Sequence, residues 1–165
     1  SMLSNLSILK LNFNNFSGFI PPEIGILTNL SILYLHNNDL IGCFPPELCQ
    51  LTNLTILSLS NNRITGEIPP EIGQLTKLRE LLLNGNEFNG FIPPEIDAIG
   101  KRLTRLLLND NHLRGDIPSS LLTLTSKFVT VDIGNNFFTT TKIPGTWRAT
   151  DAFQSYSVAK SARKQ

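Results

Sequence analysis

The sequence predicts an α/β solenoid built on a parallel sheet of about six short strands, and three observations carry that expectation. The block "GFIPPEIG" at Gly18 returns as "GCFPPELC", "GEIPPEIG" and "GFIPPEID", with "GDIPSSL" as a worn copy, so its leading glycine recurs at 18, 42, 66, 90 and 115. Ahead of each block runs an apolar ladder of period two, seen whole in "LSILYLHNNDL" from Leu30 to Leu40. An asparagine follows each ladder at a fixed offset. Such regularity reports geometry: each repeat is one supersecondary unit that must stack on its neighbours to bury its apolar face.

The ladders begin at Leu6, Leu30, Leu54, Leu78, Leu103 and Phe128, which gives six units. Alternation at Leu33, Leu35 and their equivalents argues for a short strand with one face buried, and strands of successive turns then pair in parallel. Asn14, Asn38, Asn62, Asn86, Asn111 and Asn136 stand where the chain turns inward off the strand. That turn buries backbone groups without strand partners, and a short amide that both donates and accepts can satisfy them. The repeated glycine suits a close backbone approach or a positive φ. Ile20, Phe44, Ile68, Ile92 and Ile117 are expected to enter the core from a second short extended segment. The prolines at 21, 45, 69, 93 and 118 end that segment and open a tight helical turn, where a missing N–H costs nothing.

Single-residue insertions in "IGKRL" (99–103) and "LTSKF" (124–128) should each lengthen one return path. Residues 1–144 are thereby assigned to the repeats, and 145–165 to a C-terminal capping segment. In that segment Trp147, Ala149, Phe153, Tyr156 and Ala159 have spacings a helix over roughly 150–162 could present to the last turn, and "KSARKQ" forms a basic, frayed end.

A chain of 165 residues that is 41% hydrophobic and 16% charged, with a formal charge of +1, can bury a substantial core. It has no basic stripe interleaved with aromatics, so nucleic acid is not an expected partner. No apolar run approaches the roughly 18 residues needed to cross a bilayer, so direct membrane insertion is not expected. Cys43 and Cys49 are expected to be free thiols whose side chains diverge, and their spacing provides no metal site. His36 and His112 lie three repeats apart, or about 14 Å at the spacing of neighbouring strands, too far to share a ligand. Glu23, Glu47, Glu71 and Glu95 form a row that belongs to the solvated return path. With no nucleophile elbow or phosphate loop, neither enzymatic activity nor a cofactor is expected. Asn5, Asn15, Asn29 and Asn53 begin N-x-S/T triplets, but composition alone yields about 2.8 of these, so they do not establish secretion.

The template "LxxLxLxxNxLxGxIPxxI", repeated every 24 residues from Leu3 to about Pro144, resembles the plant-type leucine-rich repeats. These occur in ectodomains of receptor-like kinases and receptor-like proteins and in polygalacturonase-inhibiting proteins. The resemblance implies a right-handed solenoid with a concave parallel sheet, short lateral strands and 3₁₀-like convex turns. It favours an extracellular or cell-surface setting, whereas Met2 as a native initiator would imply an intracellular one.

Between the buried leucines, the intervening side chains are expected to face outward on the concave sheet. Lys10, Phe13, Ile32, Tyr34, His36, Ile56, Glu80, Leu82, Arg105, Leu107 and Asp132 are the candidate binding residues there. Exposed apolar and aromatic side chains flanked by polar ones mark partner surfaces, so a protein or peptide ligand is the expected partner. Alternatives are a structural or enzyme-inhibitor role, or a fragment that stacks on further repeats, and self-association through the open first strand would follow from its unpaired edge. Carbohydrate binding would need aromatic platforms, for which Phe13 and Tyr34 are the candidates.

Overall fold

The computed structural model describes residues 5–122 and 130–139. Its strands are β1 (Ile8–Lys10), β2 (Ser17–Phe19), β3 (Ile32–Tyr34), β4 (Asp39–Cys43), β5 (Ile56–Ser58), β6 (Arg63–Glu67), β7 (Glu80–Leu82), β8 (Glu87–Asn89), β9 (Arg105–Leu107), β10 (Arg114–Gly115), β11 (Thr130–Asp132) and β12 (Phe137–Phe138). The odd-numbered strands form one parallel sheet in chain order, and β2, β4, β6 and β8 form a second, lateral one, which β10 and β12 continue as a separate pair. Every principal-sheet pairing joins equivalent residues, for example Leu33 to Leu57 and Leu57 to Leu81. The expected solenoid with six strands in register is therefore the fold.

Between the sheets and the return paths, Leu33, Leu57, Leu81 and Leu106 stack into a continuous core with Leu54, Leu78 and Ile72, all fully buried. In the return path, the N–H of Ile24 donates to the Pro21 carbonyl at 3.0 Å, and Leu48, Ile72 and Ile96 repeat the bond to Pro45, Pro69 and Pro93. The first proline holds extended backbone (Pro21 φ −69, ψ 135) and the second opens a 3₁₀ turn at Pro22–Ile26, Pro46–Gln50, Pro70–Gln74 and Pro94–Ile96. The fourth turn differs. Where 25 residues replace 24, the 3₁₀ turn shortens to three residues and runs on into the helical turn α1 (Asp97–Gly100). A second such turn, α2, spans Ser119–Leu122.

The asparagines interlock the coils. Asn86 Oδ1 accepts the N–H of Ile64 at 3.0 Å, and its Nδ2 donates to the carbonyls of Leu59 (2.9 Å) and Leu83 (3.1 Å). Leu59 O also accepts from Asn62, and Leu83 O also accepts from Asn111. The carbonyls of Leu11, Leu35, Leu59, Leu83 and Leu108 thus each fill both lone pairs, one from their own coil's asparagine and one from the next. Asn38, Asn62, Asn111 and Asn136 repeat the pattern. Among the described residues the Asn14 side chain bonds only within its own coil, to Leu11 O and Asn12 O.

β2, β4 and β6 run through Gly18, Gly42 and Gly66, and β8 ends just before Gly90, so these strands precede Ile20, Phe44, Ile68 and Ile92 instead of containing them as the sequence suggested. Those residues are buried just after the strand ends. All five repeat glycines have positive φ. At Gly42 (φ +79) and Gly115 (φ +77) a second constraint applies: a Cβ would collide with the rings of Phe19 and Phe91 from the preceding coil. The 145–165 capping segment and the end of the 1–144 repeat assignment lie outside the described residues. At the first coil, Leu9, Leu11, Phe16, Phe19, Ile20 and Leu27 line an apolar cleft of about 410 Å³.

Candidate functional site on the concave sheet

Register across the principal sheet fixes the side-chain columns that face out of it. One column runs Ile8, Ile32, Ile56, Glu80, Arg105, Thr130, and the next Lys10, Tyr34, Ser58, Leu82, Leu107, Asp132. All eleven candidate binding residues fall on this face or its edge, and all are exposed or half-exposed. At equivalent positions Ser58 and Ser60 are instead buried, at 2% and 7% exposure.

At the first two coils, aromatic groups gather. The His36 ring lies 5.3 Å from Phe13 and 5.4 Å from Tyr34, both edge-to-face, and Lys10 Nζ sits 5.6 Å from the Tyr34 ring centre. Ser58 Oγ is 3.0 Å from His36 Nδ1. Burial lowers the His36 pKa from 6.5, so the imidazole is neutral at pH 7. Phe13 has φ +55 and is 73% exposed. Its equivalents in the later coils are Asn37, Asn61, Gly85, Asp110 and Asn135, all with positive φ. Those residue types tolerate the left-handed region, whereas a bulky aromatic does so at a cost of order 1 kcal/mol. Phe13 is therefore held in a strained backbone with its ring in solvent.

Over the later coils the face changes character. Glu80 and Arg105 pair at 3.2 Å, and Leu82 and Leu107 lie half-exposed beside them. Ser60 donates to Asn84 Oδ1 at 2.6 Å, and Asn109 Nδ2 donates to Asp110 Oδ2 at 2.6 Å. Asn109 Oδ1 is buried and has no hydrogen-bond partner among the described residues. Asp132 accepts the N–H of Gly134 at 2.9 Å, yet its pKa is raised, chiefly by burial and further by the charge of Asp110. Sequence periodicity singled out neither Asn109 nor Asp110. The signal for Asp110 was its place just before a spine asparagine, where Asn37, Asn61, Gly85 and Asn135 also mark a left-handed turn.

Among the described residues no His, Cys, Asp and Glu side chains cluster as metal ligands. Cys43 and Cys49 are both free, the first exposed and the second buried. Burial and the nearby Glu71 charge push the Cys49 thiol up to about 12, so at pH 8 it holds almost no thiolate. Iodoacetamide at pH 8 should accordingly modify one thiol per native chain, at Cys43, and two after denaturation; rapid modification of both in the folded protein would contradict this packing.

Leucine-rich repeat models match this chain at residues 5–27, 29–51 and 102–124, and a two-copy leucine-rich repeat model matches residues 52–93. No curated protein matches the chain. Among solved structures, the plant peptide hormone receptor RGFR1 in complex with RGF2 is 38% identical with a TM-score of 0.77, over 82% of this chain and 21% of the receptor's. The Arabidopsis receptor kinase HAESA, bound to an N-terminally extended IDA peptide hormone, is 34% identical with a TM-score of 0.81, over 92% of this chain and 25% of its own. The Arabidopsis thaliana BIR2 ectodomain is 33% identical with a TM-score of 0.72, over 83% of this chain and 71% of its own. The chain spans only about a fifth of the length of the first of these receptors. With its repeat models, register and asparagine spine all in agreement, the chain belongs to the plant-type leucine-rich repeat proteins.

Proposed function

We propose that the chain is a non-enzymatic recognition module that binds a protein or an extended peptide on its concave sheet. The observation that carries this reading is Phe13, a largely exposed ring on a strained backbone beside Tyr34 and His36, at a position where the other coils use asparagine, aspartate or glycine. Nothing in the solenoid needs that ring, since the turn is made equally well by the amides of the later coils. Ile32, Ile56, Leu82 and Leu107 extend the apolar surface across the sheet, with polar neighbours to fix register. Support also comes from similar solved structures that are themselves peptide hormone receptors with peptide bound. The solenoid preorganises these side chains, so binding costs little ordering entropy on this side.

Tyr34→Ala and Leu107→Ala test the reading. Each should weaken binding of a partner recovered by pull-down at least ~10-fold, as truncation of an interface anchor does, while surface positions of this kind leave the melting temperature within a few degrees. Binding losses that track loss of fold in every variant would overturn it.

A further inference from the structure

We propose that the concave face has a fixed electrostatic polarity and takes an extended peptide whose acidic end lies over Lys10 on β1 and whose basic end lies over Asp110 and Asp132 beside β11. The inference rests on the peptide-binding reading above and adds the ligand's chemistry and direction.

Charge on the face is sparse and ordered. Along the outward face, Lys10 is the cation at the first coil, and Asp110, at the turn after β9, and Asp132, in β11, are the anions at the last two. Between them, Glu80 and Arg105 neutralise each other. Arg79 stands one residue before β7, on the edge where the chain enters the sheet. The column through the middle of the face therefore reads cation, aromatic, a buried serine, apolar, apolar, carboxylate: Lys10, Tyr34, Ser58, Leu82, Leu107, Asp132. Six strands span about 24 Å, which accommodates about seven residues of extended chain.

The two ends differ in hydrogen-bonding capacity as well as charge. At the far end the charged groups, Asp110 and Asp132, are carboxylates and accept. Asp110 accepts from Asn109 Nδ2 at its Oδ2 and from Asn135 Nδ2 at its Oδ1, neutral donors that leave its charge uncompensated, and the Oδ1 of Asn109 is buried with no partner among the described residues. An ammonium or guanidinium at the end of a peptide supplies the missing countercharge and relieves the repulsion between Asp110 and Asp132. At the near end, Lys10 is exposed above Tyr34 and offers donors only. Phe13, Tyr34 and His36 beside it make a ring-lined seat for an apolar or aromatic side chain next to the acidic end. A peptide in the opposite sense would set its cation against Lys10 and its carboxylate against two aspartates.

A displayed pool of random heptapeptides, panned against the whole chain and two variants, tests the polarity. Peptides enriched on the wild type should carry a basic residue near one end and an acidic residue near the other. Lys10→Glu should change the preference at the acidic end alone, and the double variant Asp110→Asn, Asp132→Asn should abolish the basic preference alone, each by roughly tenfold in enrichment of the wild-type set. Lys10 is exposed and Asp→Asn preserves shape, so both variants should keep the parental circular dichroism spectrum. Enriched peptides with no charge polarity, or polarity unmoved by either variant, would overturn the inference while leaving peptide binding standing. A pool that yields no enrichment on the folded wild type would overturn both.

Discussion

Asn86→Ala is expected to lower the unfolding free energy by about 3 kcal/mol, whereas Asn14→Ala should cost about 1 kcal/mol or less. The difference follows from how many groups each amide serves. Asn86 is buried, and its removal leaves the N–H of Ile64 with no acceptor and halves the donors reaching Leu59 O and Leu83 O. Those carbonyls keep Asn62 and Asn111, so the orphaned N–H carries most of the loss. Asn14 is exposed and accepts from no earlier coil among the described residues. Asn86→Asp sharpens the test. The new carboxylate could still accept from Ile64, but its second oxygen would face the carbonyls of Leu59 and Leu83. Burial and those dipoles raise its folded pKa above the unfolded value, so the penalty is present above the folded pKa and relieved as pH falls through it. Urea melts of the three variants at pH 7 and pH 4 read these outcomes, and equal losses for Asn86→Ala and Asn14→Ala would show that the spine does not act between coils.

The features that repeat were legible in the sequence because a period of 24 is a statement about geometry. Leu33 and its equivalents, the prolines and the spine asparagines each recur where one backbone position makes one demand. The features that do not repeat were harder to read. Phe13 looked like one more exposed apolar residue, because its left-handed backbone is visible only once Asn37, Asn61, Gly85, Asp110 and Asn135 are seen to share it. Ser58 and Ser60 share the period of the outward columns but are buried with their hydroxyls bonded to His36 and Asn84, which a period does not reveal. The 25-residue interval announced an extra residue near Ile99 without saying that the 3₁₀ turn would convert into α1 to absorb it. On the candidate site, the columns were readable and the hydrogen bonding was not, since Asn109's stranded acceptor depends on where one amide donor is spent.

Phe88 should be among the costliest side chains in the molecule to truncate. It belongs to β8, is fully buried, and occupies a position that is aliphatic at Leu40, Ile64 and Leu113. Phe88→Ala keeps the backbone N–H that donates to Asn111 Oδ1 at 3.0 Å, so the loss is one of packing alone. Removing a buried phenyl group costs about 3–5 kcal/mol, the transfer term plus the cavity left between stiff neighbouring coils. For a chain of this size that is a fall in melting temperature on the order of ten degrees. Phe91, three residues on, has the same chemistry and the opposite environment: it is 58% exposed, with Arg114 5.8 Å from its ring centre. Phe91→Ala should cost no more than ~1 kcal/mol, since only a surface cation–π contact and partial burial are lost. Phe88→Leu restores the side-chain type of Leu40 and Leu113 and should recover much of the loss, because the site then lacks only part of a ring. Calorimetric melts of the three variants decide the matter. Comparable losses at Phe88 and Phe91 would mean that the lateral sheet does not close over the core as its strand register implies.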